Sequence, residues 1–113
     1  MTSPPPDPED LTRAGQGAVL LDVGEDRGAL VVLAPADLER AEIEISGAGR
    51  PRTGTHVAVL PRHAGAGGQV RHAAVFPSLA AGGYVLWSDD DRAVLDVTVA
   101  AGEVTTVSWP GTP

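Results

Sequence analysis

The chain of 113 residues has no cysteine, no lysine and no asparagine, and only four of its residues are aromatic. Without cysteine there are neither disulfides nor thiolate metal sites, and a reducing, cytoplasmic setting is the expectation. Without lysine, Schiff-base chemistry and the lysine of a phosphate-binding loop are excluded. No apolar run is long enough to span a bilayer, and the stretch Met1–Asp10 is polar and acidic where a secretory leader is basic and then apolar. Positive charge is scarce as well. Fifteen carboxylates face eight basic residues, all arginine, for a formal net charge of −7. That balance argues against nucleic acid and against an anionic membrane as partners.

What is present reads as one domain of short strands. Residues 1–16 hold four prolines and several carboxylates with almost nothing apolar, so they are expected to form a disordered tail, and the folded part is expected over 17–110. Val19, Leu21 and Val23 alternate along a strand expected over 17–23, and 29–33 is a continuous apolar run. Residues 34–40 read as an irregular crossover or as one helical turn capped by Asp37; the crossover is preferred. Ile43 and Ile45 alternate with outward Glu42 and Glu44. Further strands are expected over 55–61, 69–76, 84–88, 93–99 and 104–109, the last two as a hairpin, with a mobile glycine-rich connection at 62–68.

The stretch Val75–Trp87 organises the rest. Phe76, Leu79 and Tyr84 are its apolar anchors, Pro77-Ser78 and Ala80-Ala81-Gly82-Gly83 its bends, and Gly82 or Gly83 is suited to a positive φ. Phe76 is expected to end one strand and Tyr84 to open the next. The pattern Phe76-x-x-Leu79-x-x-Gly82-x-Tyr84-x-Leu86 resembles the signature of carboxypeptidase regulatory-like and transthyretin-like (prealbumin-like) domains, with Ala80 where that family has proline. Leu38-x-x-Ala41-x-Ile43-x-Ile45 is similar to an earlier strand of the same family. The resemblance implies an all-β, antiparallel Ig-like or prealbumin-like sandwich of about 7–8 strands. Pilin-type relatives lock themselves with a Lys–Asn isopeptide bond, which this composition forbids.

Candidate functional residues cluster in one interval. Between Glu44 and Asp89 there is no carboxylate, yet Arg50, Arg52, Arg62, Arg71, His56, His63 and His72 all fall there. A hairpin over 50–72 would present these cations to an acidic protein partner or an anionic ligand, since a guanidinium fork suits carboxylate and phosphate. The competing assignment pairs them with outward carboxylates of neighbouring strands. The three histidines invite a zinc reading if His56 and His72 share adjacent rungs, and the acidic turns Glu25-Asp26 and Asp89–Asp91 a calcium reading if they converge. Their spacing matches no dedicated metal motif, and no metal or cofactor is expected. Trp87 falls on the face opposite Leu86, and an exposed tryptophan resembles the aromatic platform of starch-binding relatives. Ser78 with His72 would be needed for a small hydrolase, but no serine elbow surrounds Ser78. The expected function is therefore a non-catalytic binding or accessory module, with self-association as the alternative to a partner in trans.

Overall fold

The computed structural model describes residues 13–14, 17–18, 20–64 and 69–113. The chain forms an all-β sandwich of two mostly antiparallel sheets. The strands are β1 (Arg13–Ala14), β2 (Gly17–Ala18), β3 (Arg27–Ala34), β4 (Glu42–Gly47), β5 (His56–Ala58), β6 (Leu60–Ala64), β7 (Gln69–Ala80), β8 (Gly82–Trp87), β9 (Ala93–Val99) and β10 (Val104–Ser108). One sheet has the order β10-β3-β7-β6-β1-β2 and the other β5-β4-β8-β9. The tail expected over 1–16 lies outside the described residues except at Arg13–Ala14, which pairs with Gly17–Ala18 and with Arg62. Residues 65–68 of the glycine-rich connection also lie outside them.

Between the sheets lies the core of Leu30, Val32, Ile43, Ile45, Val59, Phe76, Leu86, Val97 and Val99, closed at one end by Trp109. The alternation in β4, β8 and β9 puts one face of each against this core; the other carries Glu42, Glu44 and Ser46 on β4, Val85 and Trp87 on β8, and Asp96 and Thr98 on β9. The strand β3 differs. Leu30, Val31 and Val32 are all 0% exposed, because Val31 packs on the far side of the sheet with Ala73, Val75 and Leu21. A strand buried on both faces reads as a continuous apolar run, as this one does.

Four sequence expectations give way here. The strand expected over 17–23 is not continuous: 20–24 is irregular, Leu20 is 88% exposed, Leu21 joins the cover over Val31, and the Asp22 amide donates to the Pro77 carbonyl at 2.9 Å. The segment at 34–40 does contain a helical turn, a 3-10 turn at Ala36–Leu38, with Pro35 rather than Asp37 before it. Phe76 does not end its strand, since β7 runs on through Pro77 and Ser78 to Ala80. Leu30 faces Phe76 while Gly28 faces Leu79, so a bulge sets two residues of β7 against one of β3. Pro77, which has no N–H to give, occupies that bulge. Finally, β10 does not fold back on β9; it crosses to the other sheet and pairs parallel with β3 from Val104↔Ala29 to Ser108↔Leu33.

The corner between the sheets is nonetheless built by the residues that mark it in the sequence. Phe76 is buried, Leu79 packs on the core, Gly82 takes a φ of 151°, and the Tyr84 hydroxyl donates to the Ala80 carbonyl at 2.5 Å. The crossing from β9 to β10 is pinned as firmly. Gly102, at φ 76°, donates its amide to the Arg27 carbonyl at 2.8 Å, and the Ala29 amide donates to the Glu103 carbonyl at 3.0 Å. This arch passes directly over Gly28. A Cβ there would overlap the Ala100 carbonyl oxygen and sit 2.7 Å from Val99 Cγ1 and 3.0 Å from the Glu103 carbonyl oxygen. Gly28→Ala is therefore expected to cost more than about 3 kcal/mol in urea unfolding, because two of the atoms it meets are backbone and cannot turn away. Gly24→Ala, which meets only Asp22 Oδ1 at 3.8 Å, should stay within about 0.5 kcal/mol of the parent; equal effects at the two positions would contradict the packed arch.

Candidate functional site

Crossing between sheets at Val59 divides the cation-rich interval. Val59 is buried between β5 and β6, its amide donating to the Ala41 carbonyl at 2.9 Å and its carbonyl accepting from the Arg40 amide at 2.7 Å. Arg50, Arg52 and His56 consequently belong to the four-stranded sheet, while Arg62, His63, Arg71 and His72 belong to the six-stranded one. The expected single surface over 50–72 is two surfaces.

On the four-stranded sheet, the register sets Glu44 beside both His56 and Trp87 on the outer face. The loop between β4 and β5 then lays Arg52 across them. Arg52 Nε donates to Glu44 Oε2 at 2.8 Å and Nη2 to Glu44 Oε1 at 2.7 Å, while Nη2 also reaches Asp91 Oδ1 at 2.9 Å. Its guanidinium carbon stands 4.6 Å from the centre of the Trp87 ring, within the range of a cation–π contact. Trp87 is held from its edge as well, Nε1 donating to Ser46 Oγ at 2.9 Å. His56 Nδ1 gives its hydrogen bond to the Gly54 carbonyl at 2.8 Å, so Nε2 faces Glu42 at 3.4 Å. Beside Arg52 opens a cleft of about 150 Å³ lined by Glu42, Glu44, Arg52, His56, Ser88, Asp89 and Asp91. The Arg52 hydrogen bonds hold the Glu44 carboxyl below the usual glutamate range against a smaller opposing effect of burial, and the Glu44 and Asp91 carboxylates raise Arg52 further.

On the six-stranded sheet, β7 outruns β3. Ala34, the last residue of β3, pairs with His72, so Gln69, Val70 and Arg71 pair only with β6. The hairpin of β6 and β7 projects there. Arg62 and Arg71 face each other across it, as do His63 and Val70. Arg62 is 3% exposed and donates Nε to the Ala73 carbonyl at 2.9 Å, and burial pushes its guanidinium below the ordinary arginine value. Val70 is 50% exposed and His63 is exposed. Among the described residues no carboxylate lies within ion-pair distance of Arg50, His63 or Arg71. His72 Nε2 meets Glu39 Oε1 at 3.0 Å.

Several constellations weighed in the sequence do not assemble. His56 and His72 stand in different sheets rather than on adjacent rungs, and among the described residues no group of three histidines or carboxylates is placed to hold a metal. The acidic turns lie at opposite ends of β8: Asp26 accepts from the Ala81 amide, next to the start of the strand, and Asp89 follows its end. Ser78 and His72 are six residues apart on β7, about 20 Å, and Ser78 Oγ is engaged by Arg27 Nε and donates to Asp22 Oδ2 at 3.2 Å. The Trp87 face expected to be open is covered by Arg52. That clasp had a partial signal in the sequence, where Glu44 and Trp87 both read as outward-facing. The placement of a loop arginine over them had none. Among the described residues no helix is long and apolar enough to cross a membrane. Comparison with family models, curated proteins and solved structures returned no match.

The lowered Glu44 fixes a pH dependence. A carboxyl depressed in the folded state contributes its full stabilisation above its unfolded value and loses it as pH falls through the folded value. Trp87 emission, isolated by subtracting Trp87→Phe, is expected to stay constant from about pH 7 to pH 5 and to change only below the ordinary glutamate range. Glu44→Gln should abolish that acid step; a parent step at or above the ordinary range would sever the link to Arg52.

Proposed function

We propose that this chain is a non-catalytic binding module of the prealbumin-like type, whose recognition element is the projecting β6–β7 hairpin and whose partner is an acidic protein. The corner supports the prealbumin-like reading in part: Phe76 is buried, Leu79 packs on the core, Gly82 takes a positive φ and the Tyr84 hydroxyl closes onto the Ala80 carbonyl. One observation carries the functional reading. At the hairpin a half-exposed valine, Val70, is flanked by Arg71 and faced by His63, neither of which has a carboxylate partner among the described residues. By strand alternation Val70 and His63 share one face of the hairpin and Arg71 lies on the other; an exposed apolar anchor beside polar groups without carboxylate partners suits a small recognition element, in which burial supplies affinity and charge supplies orientation.

Of the residues first assembled from the sequence, the hairpin retains Arg62, His63, Arg71 and His72. Arg62 supports it from within, and His72 fixes its base to Glu39. The sugar-binding alternative is weakened because Arg52 occupies the Trp87 ring face, and the hydrolase alternative because Ser78 and His72 have separate partners. The cytoplasmic setting expected of a cysteine-free chain remains part of the proposal.

The test uses the full chain as bait in a native lysate, read by mass spectrometry. Val70→Asp and Arg71→Glu are expected to lose partners that Arg50→Glu, a reversal on the other sheet, retains. If all three variants capture the same proteins as the parent, the hairpin is not the recognition element.

A further inference from the structure

The outer face of the four-stranded sheet carries a second inference, independent of the hairpin. We infer that Trp87, Glu44 and Asp91 form a guanidinium site that Arg52 keeps closed, and that an arginine side chain of a basic partner polypeptide binds there in place of Arg52.

The chemistry of the occupant is given by what already sits there. A planar fork meets both oxygens of Glu44 at 2.8 and 2.7 Å, gives a third hydrogen bond to Asp91 at 2.9 Å and lies 4.6 Å from the Trp87 ring centre. An ammonium group has no plane to match these partners at once. The indole is fixed by its own bond to Ser46, so the site keeps its shape without a cation. The surroundings favour a positive charge: the lining of the adjoining cleft carries Glu42, Glu44, Asp89 and Asp91 against Arg52 and His56.

The segment that supplies Arg52 is built to let go. Backbone–backbone hydrogen bonds tie the loop to its sheet at the Ala48 amide and the Thr55 carbonyl, and residues 51–54, all exposed, make none between those ties; the Gly54 backbone is held by side chains, its carbonyl by His56 Nδ1 at 2.8 Å and its amide by Glu44. Gly49 and Gly54 flank Arg52 with φ of 72° and 81°, conformations in which glycine turns at little cost. The cleft of about 150 Å³ lets a second cation reach Glu44 before Arg52 has left. Arg52 is thus a tethered competitor, present at an effective concentration of order millimolar for so short a connection. An external arginine binds weakly while it is in place and strongly once it is gone.

The probe is N-acetyl-argininamide, titrated against the full chain and followed by the Trp87 indole N–H signal in NMR. Arg52→Ala is expected to bind at least about 10-fold more tightly than the parent. The double variants Arg52→Ala/Glu44→Gln and Arg52→Ala/Trp87→Ala should not bind, and N-acetyl-lysinamide at equal ionic strength should bind markedly more weakly. Arg52→Gln, which keeps the stem and loses the charge, repeats the measurement should the alanine variant prove unfolded. The inference is overturned if the folded variant shows no saturable shift, if the lysine probe binds equally well, or if the parent binds as tightly as the variant.

Discussion

Burial of β3 on both faces is the constraint from which most of the architecture follows. Leu30 and Val32 face the space between the sheets, which the second sheet fills. Val31 faces away from it, and something must cover that side, because leaving a valine and its neighbours wet forfeits about 25 cal/mol for each Å² of apolar surface. Leu21 from the preceding segment and Val104 from β10 supply the cover, with Ala73 and Val75 beside Val31. The irregular path of 20–24 and the parallel attachment of β10 both serve this end. Gly28 and the bulge at Pro77 are the local adjustments that let the covering segments in. The Asp22 amide uses the Pro77 carbonyl, and the Glu103 carbonyl uses the Ala29 amide that faces the bulge.

From β4 to β10 the chain alternates hairpins within a sheet and crossings between sheets. It stays in one sheet from β4 to β5, crosses at Val59, stays from β6 to β7, crosses at Ala81, stays from β8 to β9, and crosses again at 100–103. A crossing carries backbone groups past the core, where each one left unpaired is costly. At Val59 the neighbouring Arg40 and Ala41 take both groups; at Ala81 the Asp26 carbonyl takes the amide; at 100–103 the partners are Arg27 and Ala29. These stitches decide which side chains share a surface. Residues four apart across Val59, such as Ala58 and Arg62, end in different sheets.

What was legible in the sequence was what periodicity of two can carry. The core faces of β4 and β9, the continuous run of β3 and the corner residues Phe76, Leu79, Gly82 and Tyr84 all have local patterns that burial then enforces. Partner choice had no local pattern. Val104–Ser108 alternates equally well as a hairpin mate of β9 or as a parallel neighbour of β3, and only the docking of 100–103 over Gly28 decides. Leu21 keeps the parity of a strand while serving as a lid. The candidate site was legible as a list of residues and not as a place, because charge segregated along the chain need not be segregated in space. Glu39, Glu42, Glu44 and Asp91 lie outside the carboxylate-free interval, yet they reach His72, His56 and Arg52 within it.

The exclusive use of arginine acquires a physical reason at two of these positions. Arg52 serves a bidentate carboxylate, a second carboxylate and an aromatic face together, with three directed hydrogen bonds from a flat, weakly hydrated ion. Arg62 is buried against the Ala73 carbonyl, where a lysine would answer desolvation by giving up its proton and with it part of its bonding. Burial lowers Arg62 too, but from so high a starting value that its charge persists. Arg62 thus holds charge where water is scarce and anchors the base of the projecting hairpin, while Arg52, at the surface, fastens a loop to the four-stranded sheet. Arg40, Arg50, Arg71 and His63 have no carboxylate within ion-pair distance among the described residues. Arg71 and His63 stand on the hairpin with the half-exposed Val70, and the proposed recognition rests on that coincidence rather than on the longer interval from which it was first read.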